Sequence, residues 1–155
     1  LNITSSGDIL IADGNLNASR RFDRSSTADN NRTQGDIIYF GGQGTISQGD
    51  IVYLKPDGNW NKSTASNVNQ ASALHGIALG SDVAVSGVLI KGMYTFDTDL
   101  GDGNVGKPLY LSTTAGQLTS TAPSGTGEIV RVMGYQLGDD DEVWFNPDNT
   151  WVELT

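Results

Sequence analysis

The chain carries one histidine, His75, and no cysteine, so nucleophilic and metal chemistry have few places to start. A triad needs the imidazole beside a nucleophile and an orienting acid. The flanks of His75, "SALHGIALG", read as a strand, which gives the residue a structural or surface role. No G-x-S-x-G elbow, H-E-x-x-H pair or Walker phosphate loop occurs. The acidic loops are the next place to look. "DTDLGDGN" puts Asp97, Asp99, Asp102 and Asn104 in a glycine-rich loop, the oxygen-rich kind that hard cations such as calcium use. Its spacing lacks the alternate ligands and distal glutamate of an EF-hand, and a solvated turn explains it as well. "GDDDE" (Gly138–Glu142) crowds four carboxylates that repel unless solvated or bound to a cation. No metal site is therefore assigned, with Asp97, Asp99 and Asp102 kept as calcium candidates, and no cofactor is expected.

Aromatic side chains offer different chemistry. Trp60, Trp144, Trp151, Tyr94, Tyr110 and Tyr135 could stack on sugar rings, although strand aromatics more often fill cores. With eighteen Asp and Glu, a pair of carboxylates for glycoside hydrolysis can always be nominated, so that pattern carries no weight. The residues name no enzyme. Candidate binding positions are Trp60 and the loop residues Asp97, Asp99, Asp102 and Asn104. The polar loops Pro56–Lys62 and Ala122–Gly127 join them as candidate binding loops.

These residues must be held by β-structure. Twenty glycines in 155 residues disfavour long helices, whose interiors penalise Gly by ~1 kcal/mol each. The phrases "GDILIADG", "GDIIYFGG", "GDIVYLKPDG" and "GKPLYLSTTAG" repeat one strand-opening device at irregular spacing. Hairpins are expected at Pro56–Asn59 and Thr113–Gly116. Further strands are expected at Leu74–Leu79, Val83–Lys91, Met93–Phe96, Glu128–Leu137, Glu142–Asn146 and Thr150–Leu154, with a helical turn near Ser66–Ala73. The fold class is all-β: a short-stranded antiparallel sandwich or barrel spanning 45–155, with an extended β arm or shaft-like segment over 1–44. The opening Leu1 leads us to expect a fragment or a processed product.

The formal net charge of −9 repels phosphate backbones, so no nucleic-acid partner is expected. No apolar run approaches the ~20 residues of a membrane helix, so no membrane insertion is expected either. Four of the nine basic residues, Arg20, Arg21, Arg24 and Arg32, fall in one polar stretch. We expect them to meet acidic strands of a neighbouring subunit. The last fifty residues hold only Lys107 and Arg131 as bases. Of Trp144 and Phe145, strand alternation turns one inward and one outward, and Trp144 and Trp151 are the expected interface anchors.

The phrases "GKPLYLSTTAG", "TAPSGTGEIVRVMGY" and "FNPDNTWVE", in that order over Gly49–Thr155, resemble the C-terminal β-domain of tail-fibre and fibre-like proteins of tailed bacteriophages. The opening "SSGDILIADGNLNAS" is similar to the shaft repeats that precede it. The same arrangement is similar to phage head-decoration proteins. The resemblance implies a virion structural role, commonly as a homotrimer among other virion proteins, with any contact to a host-surface glycan made through the polar loops Pro56–Lys62, Asp97–Asn104 and Ala122–Gly127. It fits a fibre's distal domain first, a capsid decoration second and a carbohydrate-binding module third. A tailspike depolymerase would bring a long β-helix, for which the chain has no pattern.

Overall fold

The computed structural model describes residue 22, residues 31–138 and residues 140–155. Twelve strands and two one-turn helices are found among them. The first four expected phrases divide at this boundary: "GDILIADG" lies outside the described residues, and the other three form strands.

One sheet dominates, antiparallel except where its second strand joins the fourth in parallel. It begins with β1 (Thr33–Ile38), β2 (Gly42–Gln43), β3 (Ile51–Leu54), β4 (Asn59–Lys62), β5 (His75–Ala78) and the long β6 (Val88–Thr95). It is completed by β7 (Pro108–Leu111), β8 (Leu118–Thr119), β10 (Val132–Gln136) and β11 (Glu142–Phe145), in the order β2-β4-β3-β5-β6-β11-β10-β7-β8. β6 is the hinge of this order. Its first residues pair with β5 and its last with β11, while β1 runs along it from Val88 to Tyr94. A separate ribbon joins β9 (Ile129–Val130) to β12 (Val152–Glu153).

The two ends of the sheet meet. The Gly116 amide donates to the Ser63 carbonyl at 2.8 Å, and the Ile51 amide to the Gly116 carbonyl at 2.8 Å. Backbone bonds from Ala65 to Ser112 and from Ile129 to Ala65, both 2.8 Å, continue the seam. The result is a partly closed barrel. Its main core gathers Ile51, Ile77, Leu89, Tyr94, Leu109, Leu111, Met133, Val143 and Phe145 from strands across the whole sheet.

Period-two alternation explains why both faces of the first half are apolar. Successive side chains of a strand point to opposite faces. Ile51, Ile77 and Leu89 enter the barrel core, whereas their neighbours Val52, Ala78 and Val88 enter a second cluster with Ile46, Trp60 and Val83. β1 contributes to both, Ile37 to the first and Ile38 to the second. The described part of the 1–44 segment thus supplies two strands of the same sheet, β1 and β2. Residues 1–21 and 23–30, which hold the rest of the expected arm, lie outside the described residues.

Both expected hairpins form. β3 and β4 pair as Leu54↔Trp60 around Pro56–Gly58, and β7 and β8 pair as Leu111↔Leu118 around Thr113–Gly116, with Gly58 and Gly116 at φ 81° and 82°. The expected helical turn is α1 (Val68–Ala71), capped by the Asn67 side chain on the Asn69 amide. One stretch differs. "SDVAVSG" was expected to begin a strand, yet Val83–Ser86 is the short helix α2. The Asp82 carboxylate accepts from the Ala84 amide at 3.1 Å and Gly87 ends the turn at φ 87°, so local capping overrides the apolar alternation. The strand starts only at Val88 and runs unbroken through the expected Met93–Phe96 strand as far as Thr95.

Trp60 shows how the second cluster is fixed. Its ring is fully buried, its Nε1 donates to the Phe40 carbonyl at 3.0 Å, and Phe40 lies 6.0 Å away at a tilt. Trp60→Phe keeps most of the apolar contact and leaves that carbonyl without its donor. A loss of about 1–2 kcal/mol in urea unfolding is expected.

Candidate functional site

Two places in the fold gather polar side chains. The first is buried. Arg131, between β9 and β10, is 6% exposed. Its Nη1 donates to the carbonyls of Ala71 (2.7 Å) and Ala73 (2.8 Å), and its Nε to the carbonyl of Asp148 (2.9 Å). It therefore ties the end of α1 to the segment after β11. Burial lowers its pKa, and the nearby Asp148 pulls it back up.

Against this guanidinium lies His75, Nδ1 to Nη1 3.0 Å. Both protons of that Nη1 are engaged by carbonyls, so the imidazole takes the Nδ1–H tautomer. It donates to the Ala73 carbonyl at 2.9 Å, and Nε2 accepts the Ser63 hydroxyl at 2.8 Å. Desolvation, with the Arg131 charge second, lowers the His75 pKa to about 3. The Ser63–His75 contact has the length of a nucleophile–base pair, but a cation stands where a triad has its anion. An imidazole so weakly basic cannot draw a proton from a hydroxyl near neutrality. Ser63 is itself fully buried. The cluster is a polar rivet in the seam of the barrel, and the structural role expected for His75 agrees with it.

The second place is a surface cleft of about 110 Å³. It lies where the Ser47–Asp50 turn, the end of β6 with the following loop, and the Gly116–Leu118 hairpin limb converge. Phe96 forms its floor, backed by Tyr94 edge-on at 4.8 Å and 70°. Asn31, Gln48, Asp50, Asp97 and Gln117 stand around it. The polar groups are ordered. The Tyr94 hydroxyl donates to Asn31 Oδ1 at 2.7 Å, and Asn31 Nδ2 donates to Asp97 Oδ2 at 3.0 Å. Asp50 Oδ2 accepts from the Ser47 amide at 2.6 Å and pairs with Lys62 Nζ at 2.9 Å. Burial, with Asp97 adding to it, pushes the Tyr94 phenol well above its usual range. The Gly-Asp phrase that opens β3 thus earns its aspartate as a turn brace.

Of the expected binding positions, only Asp97 borders this cleft. Asp99 folds back to accept from the Gly101 amide at 2.7 Å. Asn104 donates to the Gly101 carbonyl at 3.2 Å and approaches Lys107 Nζ at 3.3 Å, and Asp102 is exposed in the turn. The three aspartates do not converge: among the described residues, no three acidic or histidine side chains are placed to hold a metal ion. Asp141 is spent on the Leu100 amide at 2.8 Å, which pins this loop to the turn before β11. Trp60 is corrected outright, since the ring expected on a binding loop is the buried anchor described above.

Of the expected interface residues, Trp144, Trp151 and Arg32 are described. Phe145 faces the core and Trp144 is half-buried, as alternation requires. The Trp144 ring also meets this chain's own Phe22, edge-on at 5.1 Å and 82°. Arg32 Nη1 lies 3.7 Å from Oε1 of the buried Glu142 of the same chain. Arg20, Arg21 and Arg24 lie outside the described residues. Trp151 is 39% exposed and its neighbour Val152 60%.

The polar rivet and the cleft were both missed from the sequence. The only available signal for the rivet was a lone arginine in an apolar strand phrase. The cleft residues Asn31, Gln48, Asp50 and Gln117 come from separate segments with no motif. Comparison of the chain with protein families, with curated proteins and with solved structures finds no match.

Proposed function

We propose that the chain is a structural domain of a phage virion, the distal domain of a trimeric tail fibre, which assembles through strand edges. The observation that carries this reading is β12. Val152 and Glu153 are exposed on the outer strand of a two-stranded ribbon, Trp151 just before them is exposed as well, and β12 pairs with β9 alone among the described residues. Such a ribbon is marginal by itself. An open edge bearing a tryptophan and a valine is a liability unless another strand or subunit covers it. A second copy of the chain is the occupant that a homotrimer supplies. The resemblance of Gly49–Thr155 to fibre domains points the same way.

Light scattering on the chain at micromolar concentration is expected to give a trimer. Trp151→Ser with Val152→Ser, two exposed positions, is expected to yield monomers with an unchanged far-ultraviolet spectrum. A wild-type monomer overturns the assembly reading, and a variant that remains trimeric removes β12 from the contact. Antibody labelling of intact particles then separates the two virion sites. Label on the tail supports the fibre, whereas label on the shell replaces it with a capsid decoration.

A further inference from the structure

We propose that the patch formed by Tyr39, Phe40 and Val85 beside β2 is where a second copy of this chain lays its β12. The inference rests on the assembly reading above and names the surface that β12 would meet. A ring of three identical subunits is closed by a heterologous contact, in which two different surfaces of one chain come together. An edge that paired with its own copy across a twofold axis would stop at a dimer. For β12 such self-pairing would also bring Glu153 close to its counterpart, because the strand is only two residues long. A trimer built through β12 therefore needs an acceptor elsewhere on the chain.

Exposure, an open edge and charge converge on one place. Tyr39, Phe40 and Val85 are large apolar side chains left in solvent, Val85 the most open at 75%. All three lie on the outside of the second cluster. Phe40 stands 6.0 Å from the Trp60 ring, and Val85 is on α2, which sends Val83 into that cluster. Tyr39 lies beside Gly87 at the end of α2, where an added Cβ would come within 3.0 Å of its ring. Next to them β2 ends the strand order, with β4 its one strand neighbour among the described residues. Its outer edge can take backbone hydrogen bonds from an incoming strand, while the apolar side chains beside it supply affinity. A chain of net charge −9 repels its own copies, so contact is favoured where charge is missing. Residues 37–49 and 83–90, which build the patch, include no charged side chain. Glu153 of an incoming β12 thus meets no like charge within those two stretches, and Trp151 and Val152 bring the apolar surface that fits there.

The chain has no cysteine, so introduced cysteines report contacts without background. Val85→Cys and Val152→Cys, both at exposed positions, are made singly and together and treated with a short bismaleimide at micromolar concentration. The doubly substituted chain is expected to run as covalent dimers and trimers on a denaturing gel, and neither single variant to cross-link. Val85→Asp, which puts a charge into the apolar contact, is expected to weaken association at least about tenfold with an unchanged far-ultraviolet spectrum. Dimers from Val152→Cys alone would mean twofold pairing of β12 and overturn the inference. A trimer that does not cross-link between these positions also overturns it, and hands the patch to the chain's own residues 1–30 or to a different protein. Unweakened association of Val85→Asp has the same force. A wild-type monomer in light scattering overturns the assembly reading and this inference with it, whereas a trimer without the cross-link removes the acceptor surface alone, so the two failures are told apart.

Discussion

Between pH 7 and pH 4.5 the folded chain is expected to lose about 2–3 kcal/mol of stability through His75 alone. The imidazole is 1% exposed and its pKa in the fold is about 3, because burial and the Arg131 guanidinium both oppose a second positive charge. In the unfolded chain the same group titrates near its ordinary value of 6.5. Between those two values the unfolded state binds a proton that the folded state refuses. The contribution is complete above about pH 6.5 and declines by ~1.4 kcal/mol per pH unit as acid is added, down to about pH 3. Asp148 and Asp57 have lowered folded values, Asp148 chiefly through the Thr150 amide and Asp57 through Lys55. Their contributions are present above the ordinary carboxylate value and are lost as pH falls below it. Neither of these two carboxylates supplies the slope between pH 6.5 and 4.5 that His75 does. Urea unfolding followed by tryptophan fluorescence, at half-unit pH steps, measures the slope. His75→Asn is neutral throughout and is expected to be less stable at pH 7, with the slope in this interval removed. Parallel slopes for the two proteins would sink the assignment.

The strands were legible because two-residue periodicity is a local property. "IVYL", "PLYL" and "EVWF" each alternate correctly between faces, and the Gly-bearing turns between them close where backbone freedom requires. α2 was not legible, because alternation in "DVAV" competes with a cap whose strength depends on Asp82 meeting an amide two residues on. Trp60 misled for a related reason. It follows a hairpin turn, which suggests exposure, but α2, which supplies Val83, and the chain at Phe40 cover it from outside the hairpin. The buried rivet depends on contacts across 56 and 60 residues of chain, and the cleft draws Asn31 to Tyr94 across 63. Such distances leave no trace in local patterning. The same holds for Arg32, whose partner Glu142 is far along the chain, and for Trp144 under Phe22.

Gly92→Ala is expected to be the most damaging methyl addition among the exposed and buried glycines of β6 and its partners, costing at least about 3 kcal/mol or releasing β1 from the sheet. Gly92 faces Gly35 where β1 crosses the long strand. A Cβ at Gly92 would overlap the Gln34 carbonyl oxygen and lie 2.6 Å from the Gly35 Cα. Both obstacles are backbone, so no rotamer change relieves them. A Cβ at Gly35 would in turn overlap the Lys91 carbonyl. The pair is a steric lock that admits two glycines and nothing larger. It matters because β6 holds β1 on one side while β5 and β11 share the other. Separation at this point would strip Ile37 from the barrel core and Ile38 from the second cluster. Gly103→Ala is the control: its φ of 73° is also positive, yet nothing lies within 4 Å of the added carbon, so about 1 kcal/mol of backbone strain is all that it incurs. Urea midpoints compare the two, and hydrogen exchange at the amides of 34–38 reports whether β1 has come away. Equal losses for Gly92→Ala and Gly103→Ala would mean that backbone strain alone sets the cost. A larger loss with fast exchange confined to β1 would mean that the Gly–Gly crossing is what holds the described part of the N-terminal segment to the sheet.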